Sequence, residues 1–483
     1  MNRKNGMLVA SRRLCHRGLK NMDTVKFIDL FAGIGGLRTG FEKAFNGLGI
    51  QTECVLSSEI KSHAIKVLED NYKHGKFVGD ITKVKNHEIP KFDFLLAGFP
   101  CQAFSFAGKR LGFADTRGTL FFEVERILRD KKPNGFILEN VEGLVKHDPD
   151  PKDKKAPIGR TLKTMLSSLK NLGYKVSWEL LDSKYFGVPQ SRKRVFIVGT
   201  LNNEVSLSNF EICFVKLKEV LQQGLSVQNS EFTERLLSHY DVQELYGKSI
   251  KDKRGGKNNI HSWDIGLKGE VTNEQKELLS LLLKARRYKK WAEIKGIKWM
   301  DGMPLTLDEI STFYKHENLQ EMLDDLVMKD YVKFEYPKDL VDVMMEDGTI
   351  TQVRRPREDL PKGYNIVTGK LSFEFGKILD PDDIAPTIVA TDVSKIGVVD
   401  GEGIRQLTVR EGARLFGFPD TFQFNLGKKD QVFDLLGNTV VVPVVEAVAE
   451  RLGKAFLGIE QASYIGKKEE SLKKELVTNA ISV

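Results

Sequence analysis

Between Val25 and about Thr200, short apolar runs alternate with stretches whose apolar residues recur every three or four positions. Val25–Phe31, Glu53–Ser57, Phe92–Ala97, Phe136–Leu138 and Val195–Gly199 read as strands. Leu37–Phe45, Lys61–Asn71, Phe121–Arg129 and Arg160–Leu172 read as helices. Largely apolar strands separated by helices predict an α/β fold with a doubly wound, mostly parallel sheet. After about Asn202 this rhythm stops. Residues 206–404 are less regular and Lys-rich, with helical stretches at Asn273–Tyr288 and Leu305–Tyr331 and strand-like pieces at Tyr331–Tyr336 and Leu371–Phe375. Within them, Thr306–Ile310, Leu319–Val327 and Tyr331–Phe334 have the rhythm of a winged helix. The α/β character returns at Leu407–Phe416 and Val432–Leu452. The expected organisation is a basic flexible tail (1–24), an α/β domain (25–205), a large insertion (206–404), a return to the first domain (405–455) and a C-terminal tail (456–483).

Composition narrows the class without naming a function. The chain has 483 residues, 41% hydrophobic and 29% charged, as expected of a globular protein with more than one domain. No apolar stretch approaches the ~18 uninterrupted residues of a membrane span, and the basic N-terminus lacks an apolar signal core. Cys15, Cys54, Cys101 and Cys213 are far apart. This predicts neither a disulfide framework nor a metal site, and it suits a reducing cytoplasm. A net charge of +8 is compatible with a polyanionic partner but does not demand one.

Strand ends carry the chemistry. Phe27–Phe31 runs into Ala32-Gly33-Ile34-Gly35-Gly36 and then a helix start, a turn through which a backbone approaches a ligand closely. The spacing departs from the dinucleotide pattern Gly-x-Gly-x-x-Gly and suits a nucleotide-like ligand without pyrophosphate, such as S-adenosylmethionine. At the next strand end, Glu59 would accept from ribose hydroxyls, and after Gly79, Asp80 would meet a heterocycle's amine. A third group of strand ends offers the thiol of Cys101 after Gly98-Phe99-Pro100, the carboxyl of Glu139 and the guanidiniums of Arg192 and Arg194. A thiolate adding to carbon 6 of cytosine would make carbon 5 nucleophilic. Glu139 would bond ring nitrogen 3 and the exocyclic amine, and Arg194 the ring carbonyl. Arg192 would orient Glu139 or the strand turn. Each feature alone has a bland alternative: a buried thiol, a helix cap, a solvated basic turn. Their joint occurrence in this order is hard to assign to chance.

These blocks resemble the DNA cytosine-5 methyltransferase family over nearly all of residues 25–455. They are Asp29–Gly33, Pro100-Cys101-Gln102 with Phe104-Ser105, Arg117–Phe121, Glu139-Asn140-Val141, Gln190–Arg194, Arg410–Leu415 with Gly417-Phe418-Pro419, and Leu436–Val440. The resemblance implies that Cys101 is the nucleophile and Glu139 the cytosine-binding acid, with Arg192 and Arg194 completing the catalytic set. It implies an S-adenosylmethionine pocket lined by Phe31, Gly33, Gly35, Glu59, Ile60, Asp80, Ile81, Pro100, Leu120, Asn438 and Val440, and no metal. Family members often carry Trp where Ile60 stands, so adenine stacking would be weaker here.

The same resemblance makes the insertion a target-recognition domain acting on double-stranded DNA. Residues 103–117 would form a mobile loop closing over a flipped cytosine, with Ser105 and Lys109 on DNA, and Thr387 would lie near that cytosine. Arg254, Lys257, Arg286, Arg287, Lys289, Arg354 and Arg355 are candidate phosphate contacts. The implied setting is a monomer in the bacterial cytoplasm or nucleoid, in a restriction–modification system with a cognate endonuclease as functional partner. The rival readings are an RNA cytosine-5 methyltransferase, disfavoured by the size of the insertion, and an inactive DNA-binding regulator, disfavoured by the intact Cys101, Glu139 and Asn438. An amino-methylating enzyme is disfavoured because no Asp/Asn-Pro-Pro-Tyr/Phe tetrapeptide occurs.

Overall fold

The computed structural model describes residues 24–73, 75–99, 120–150, 153, 155–253, 255–298, 302–345, 350–368, 373–389 and 393–459. Both expected tails lie largely outside them. Two compact units emerge. One runs to Val220 and takes in Ile384–Ala390 and the chain from Val409; the other comprises Leu221–Asp383 and Thr391–Thr408.

The first unit is an α/β layer structure. Its elements are β1 (Val25–Leu30), α1 (Gly36–Gly47), β2 (Thr52–Ser58), α2 (Ser62–Asn71), β3 (Lys76–Val78), β4 (Phe94–Ala97), α3 (Leu120–Lys131), β5 (Gly135–Val141), α4 (Arg160–Asn171), β6 (Lys175–Asp182) and β7 (Lys193–Thr200). The strands form one sheet in the order β3-β2-β1-β4-β5-β7-β6. All neighbours are parallel except β7, which runs against both β5 and β6. β4 is buried along its whole length, as a central strand covered on both faces must be. α1 buries Leu37, Phe41, Ala44 and Phe45, a single helical stripe.

β6 is absent from the elements expected above. It is only half-buried for most of its length, because it is an edge strand, and Lys175, Ser177 and Glu179 dilute its apolar signal.

In the second unit, α5 (Glu231–His239) leads into β8 (Ser249–Ile250) and β9 (Asn259–Ile260). The helical stretch expected over 273–288 ends at Ala285 (α6, Asn273–Ala285), and α7 (Lys289–Lys295) follows it. The stretch expected over 305–331 is two helices, α8 (Leu307–Ser311) and α9 (Leu319–Met328). Next come β10 (Val332–Glu335), a hairpin of β11 (Lys338–Met344) and β12 (Ile350–Pro356), and β13 (Gly363–Ile366), antiparallel to β10. Leu305 bridges to Tyr364 as a one-residue third strand. Helix, short strand, two helices, strand, hairpin and strand is the order of a winged helix, here with α7 added after the first helix. One apolar core running from Trp263 to Ile366 holds it together.

A second sheet in this unit contains β14 (Lys377–Ile378), β15 (Ile396–Asp400) and β16 (Gly403–Gln406), in the order β16-β15-β14-β8-β9. Phe373 and Phe375, expected in a strand, are core side chains beside it and lie in no strand.

The chain then returns to the first unit as α10 (Val409–Leu415), α11 (Lys429–Asn438) and α12 (Val442–Phe456). α12 packs along α1, and its Phe456 meets Phe94 edge-on at 5.2 Å. The span Lys429–Phe456 is long and apolar enough to cross a membrane, yet its apolar window is 72% buried within the fold and Thr439–Val441 interrupt the helix. Its apolarity serves the core.

Candidate active site

The chain leaves β1 for β2 and β3 on one side and then crosses to β4 on the other. The carboxyl ends of β1 and β4 therefore flank a topological switch point, where an open α/β sheet leaves a crevice for ligands. Because β7 is antiparallel, its beginning lies on that same edge, with Arg194 opposite Val141.

On the β1–β3 side the site is built mainly by backbone. Phe31 takes φ of 57°, a left-handed conformation costly for a residue with a Cβ, and Gly33 and Gly35 follow at 56° and 80°. Glu59, past the end of β2, holds this turn. Its Oε2 accepts from the Gly33 N–H at 2.8 Å, and its Oε1 accepts from the N–H groups of Ile60 (2.7 Å) and Lys61 (2.9 Å). The glycines have different neighbours. A Cβ on Gly35 would lie 2.6 Å from the Tyr72 ring, and one on Gly36 2.7 Å from Thr439 Oγ1 and 2.8 Å from Val440 Cγ2. A Cβ on Gly33 would meet nothing within 4 Å among the described residues. Gly35 and Gly36 are small so that the protein closes on itself; Gly33 borders open space.

Asp80 follows β3. Its Oδ1 accepts from the hydroxyl (2.7 Å) and the N–H (3.0 Å) of Thr82, bonds that hold its carboxyl below the usual carboxylate range and keep it an ionised acceptor. Ile60 is 73% exposed, and Leu120 is half-buried at the start of α3. Asn438 is exposed at the end of α11, its amide donating to the Asp434 carbonyl at 2.7 Å. Val440 packs on the glycine turn. Ile81 is corrected in one respect: its side chain is 1% exposed within the main core, so only its backbone is left for a ligand. Pro100 lies outside the described residues.

On the β4–β5–β7 side the site is built by charge. Glu139 is buried, and its carboxyl pairs with Arg194, Nε to Oε1 at 3.1 Å. Burial pushes its pKa up, against the opposing pull of Arg194 and then Arg192. A carboxyl so placed holds a proton more readily than an exposed one. The nearest atom to a Cβ added at Gly98 would be Glu139 Oε2, at 3.5 Å. Asn140 donates to the Phe99 carbonyl at 3.2 Å, which ties the end of β4 to the end of β5 immediately before Pro100-Cys101. Cys101, Ser105 and Lys109, and with them the expected loop 103–117, lie outside the described residues, as does Arg254.

Arg192, expected to orient Glu139 or the strand turn, makes hydrogen bonds that reach further along the chain. Its guanidinium donates to the carbonyls of Ile388 (3.0 Å), Gly437 (2.8 Å) and Thr439 (2.9 Å), and it lies over the Phe416 ring. It influences Glu139 through its charge while joining three distant segments, which makes it a positioning residue. Gln190 assists by bonding the Leu415 carbonyl and the Ile388 N–H. Thr387, expected on the insertion, belongs with the first unit: its hydroxyl donates to the Ser191 carbonyl at 2.6 Å, and Ala385 bridges to Gln190. The second unit likewise begins at Leu221 rather than 206.

Two residues of the site went unnoticed in the sequence. Tyr72 clamps the glycine turn, donating to the Gly35 carbonyl at 3.0 Å and bonding Thr39. Asp29 is fully buried in β1 and, among the described residues, neither carboxyl oxygen has a hydrogen-bond partner; burial pushes its pKa up to about 8. Its place in the Asp29–Gly33 block was the available signal; nothing local marks Tyr72.

Residues 25–454 match the family model for C-5 cytosine-specific DNA methylase. Among curated proteins, the Type II methyltransferase M.NlaIV of Neisseria lactamica is 57% identical over 431 residues, 89% of this chain and 99% of that protein. M.NgoBV of Neisseria gonorrhoeae is equally similar over the same length. M.BanI of Aneurinibacillus aneurinilyticus is 42% identical over 452 residues, 89% of this chain and 95% of that protein.

Proposed function

This chain belongs to the C-5 cytosine-specific DNA methylase family and is a DNA cytosine-5 methyltransferase, and we propose that it methylates a flipped-out cytosine in a defined duplex sequence through a covalent Cys101 adduct. The observation that supports the mechanism best is the buried Glu139–Arg194 pair at the sheet edge, on the strand next to the one that leads into Pro100-Cys101.

Cys101 Sγ adds to carbon 6 of cytosine. Glu139, whose pKa burial pushes up, donates in its protonated form to ring nitrogen 3 and accepts from the exocyclic amine, and Arg194 donates to the ring carbonyl. The electron density this gathers at carbon 5 makes that carbon the nucleophile. After methylation a solvent base takes the carbon 5 proton, that electron pair re-forms the 5,6 double bond as the carbon 6–sulfur bond breaks, and the proton shared with ring nitrogen 3 stays with Glu139, which restores the aromatic ring and the enzyme.

The methyl group is the contribution of S-adenosylmethionine. The residues fit such a ligand: open space beside Gly33, an acceptor position left on Glu59 Oε2 for a ribose hydroxyl, and the ionised Asp80 for an amine. Phe31, Gly33, Glu59, Ile60, Asp80, Pro100, Leu120 and Asn438 would hold it, with the Ile81 backbone. Gly35 and Val440 support the turn.

The relatives are named Type II methyltransferases. By that likeness we infer that this protein works in the bacterial cytoplasm or nucleoid and shields sites from a cognate restriction endonuclease.

Bisulfite sequencing of duplex DNA incubated with the protein and S-adenosylmethionine tests the reading. A defined methylated motif is expected, together with a covalent adduct on 5-fluorocytosine DNA, where the carbon 5 proton cannot be lost. Cys101→Ser should abolish both. Binding without methylation by the wild type would instead favour an inactive regulator.

A further inference from the structure

The winged helix of the second unit has an unusual charge distribution. The ordinary docking of a helix-turn-helix puts its second helix in the major groove. That helix here is α9, whose ten residues include Glu321, Asp324 and Asp325 and no cationic side chain. Glu321 and Asp324 are exposed, where they would face phosphates at close range.

Cationic side chains gather elsewhere. A cavity of about 340 Å³ lies between the end of α6, β10 and the hairpin, lined among the described residues by Lys253, Arg286, Lys333, Lys338 and Arg354 against one carboxylate, Glu335. Its floor is a bonded polar chain. Arg286 Nη1 donates to Asn365 Oδ1 at 2.8 Å, and Asn365 Nδ2 donates to Glu335 Oε1 at 2.8 Å. Lys333 and Lys338 hold the two Glu335 oxygens at 2.9 and 3.1 Å. Arg286 and Asn365 are both more than nine-tenths buried, so the floor is a fixed part of the fold. The rim is accessible: Lys253 and Arg354 are exposed, and Arg287 anchors the Lys253 loop by donating to the Lys253 carbonyl at 2.6 Å. The volume equals that of roughly eleven liquid waters, room for a hydrated phosphodiester.

We propose that the cleft between the end of α6 and the hairpin grips the DNA backbone, and that the acidic α9 stays out of the groove. This rests on the reading of the protein as a DNA methyltransferase and adds which face of the inserted unit meets phosphate. The cleft supplies affinity and orientation, whereas base readout must come from other side chains.

Filter binding of a cognate duplex across a salt series tests it, with bisulfite readout of the same reactions. For Lys253→Gln with Arg354→Gln, the slope of log affinity against log salt should fall by about two, about 0.9 for each phosphate contact, with a ten- to hundred-fold loss at about 0.1 M salt. Each single variant should give about half the slope change. Glu321→Gln with Asp324→Gln on α9 should bind as tightly as wild type or tighter. An unchanged slope in the folded cleft variants, while the wild type methylates DNA, overturns the cleft alone. Weaker binding by the α9 variant overturns its exclusion from the groove. A wild type that neither binds nor methylates DNA overturns both the cleft and the functional reading.

Discussion

The two halves of the sheet edge reach a working geometry by opposite means. Beyond β1–β3, the turn is shaped by left-handed backbone at Phe31, Gly33 and Gly35 and held by a carboxylate whose oxygens accept main-chain N–H groups. Beyond β4, β5 and β7, it is shaped by charges taken out of water, with Glu139 buried against Arg194 and its pKa raised. The first arrangement offers shape and acceptors that cost little to keep ready, which suits a ligand held by its hydroxyl and amino groups. The second raises the proton affinity of a carboxyl that faces developing ring charge, which suits a group that donates a hydrogen bond there.

Glu139→Gln should separate the halves most sharply. Without a titratable proton, kcat should fall by about 10²–10³, the usual scale for losing one acid or one oxyanion donor. The KM for S-adenosylmethionine should stay within about two-fold. A KM that moves as far as kcat would mean that the halves are not independent.

The glycine turn gives the next effect. Gly36→Ala forces a Cβ against Thr439 and Val440, an overpacking that costs about 1–3 kcal/mol and should lower Tm. Gly33→Ala meets no atom of the described residues, so its stability cost should be limited to about 1 kcal/mol of left-handed strain. Its methyl would enter the open side of the turn, and cofactor KM should rise about ten-fold or more. Unchanged cofactor affinity in Gly33→Ala would remove that space from the binding site.

Asp29 breaks the comparison, because it lies in β1 yet is electrostatically stressed. Its folded pKa of about 8 lies above the ordinary 3.8, so the native state keeps a proton that the unfolded chain has released. Stability should therefore fall as pH rises from about 4 to 8, by up to ~1.4 kcal/mol per pH unit, and level off above. Denaturant melts of wild type and Asp29→Asn at pH 5, 6.5 and 8 check this, with the shallower profile expected for the variant. Parallel profiles would show that Asp29 does not hold the proton.

Much of the site was legible because its signals are local. An apolar run, a glycine turn and a strand-end acid lie within a few residues of one another, so Phe31–Gly35, Glu59, Asp80 and Glu139 could be read without knowing what surrounds them. Arg192 was legible as an orienting residue, but its partners were not. It bonds Ile388 and Thr439, 196 and 247 positions away, and no periodicity reports contacts of that range. β6 escaped for a related reason, since an edge strand half in water is not obliged to be apolar.

By itself the sequence determined the alternating α/β framework, the chemistry at the strand ends and the presence of a large, differently patterned insertion. These follow from hydrophobic period and from residue types with few uses. The tertiary structure decided which glycines face the protein and which face open space. It moved Thr387 into the first unit, left Asp29 without a partner and set a cationic cleft apart from an acidic helix in the second. Each of these depends on segments far apart in the chain being brought within a few ångströms, and only folding specifies that.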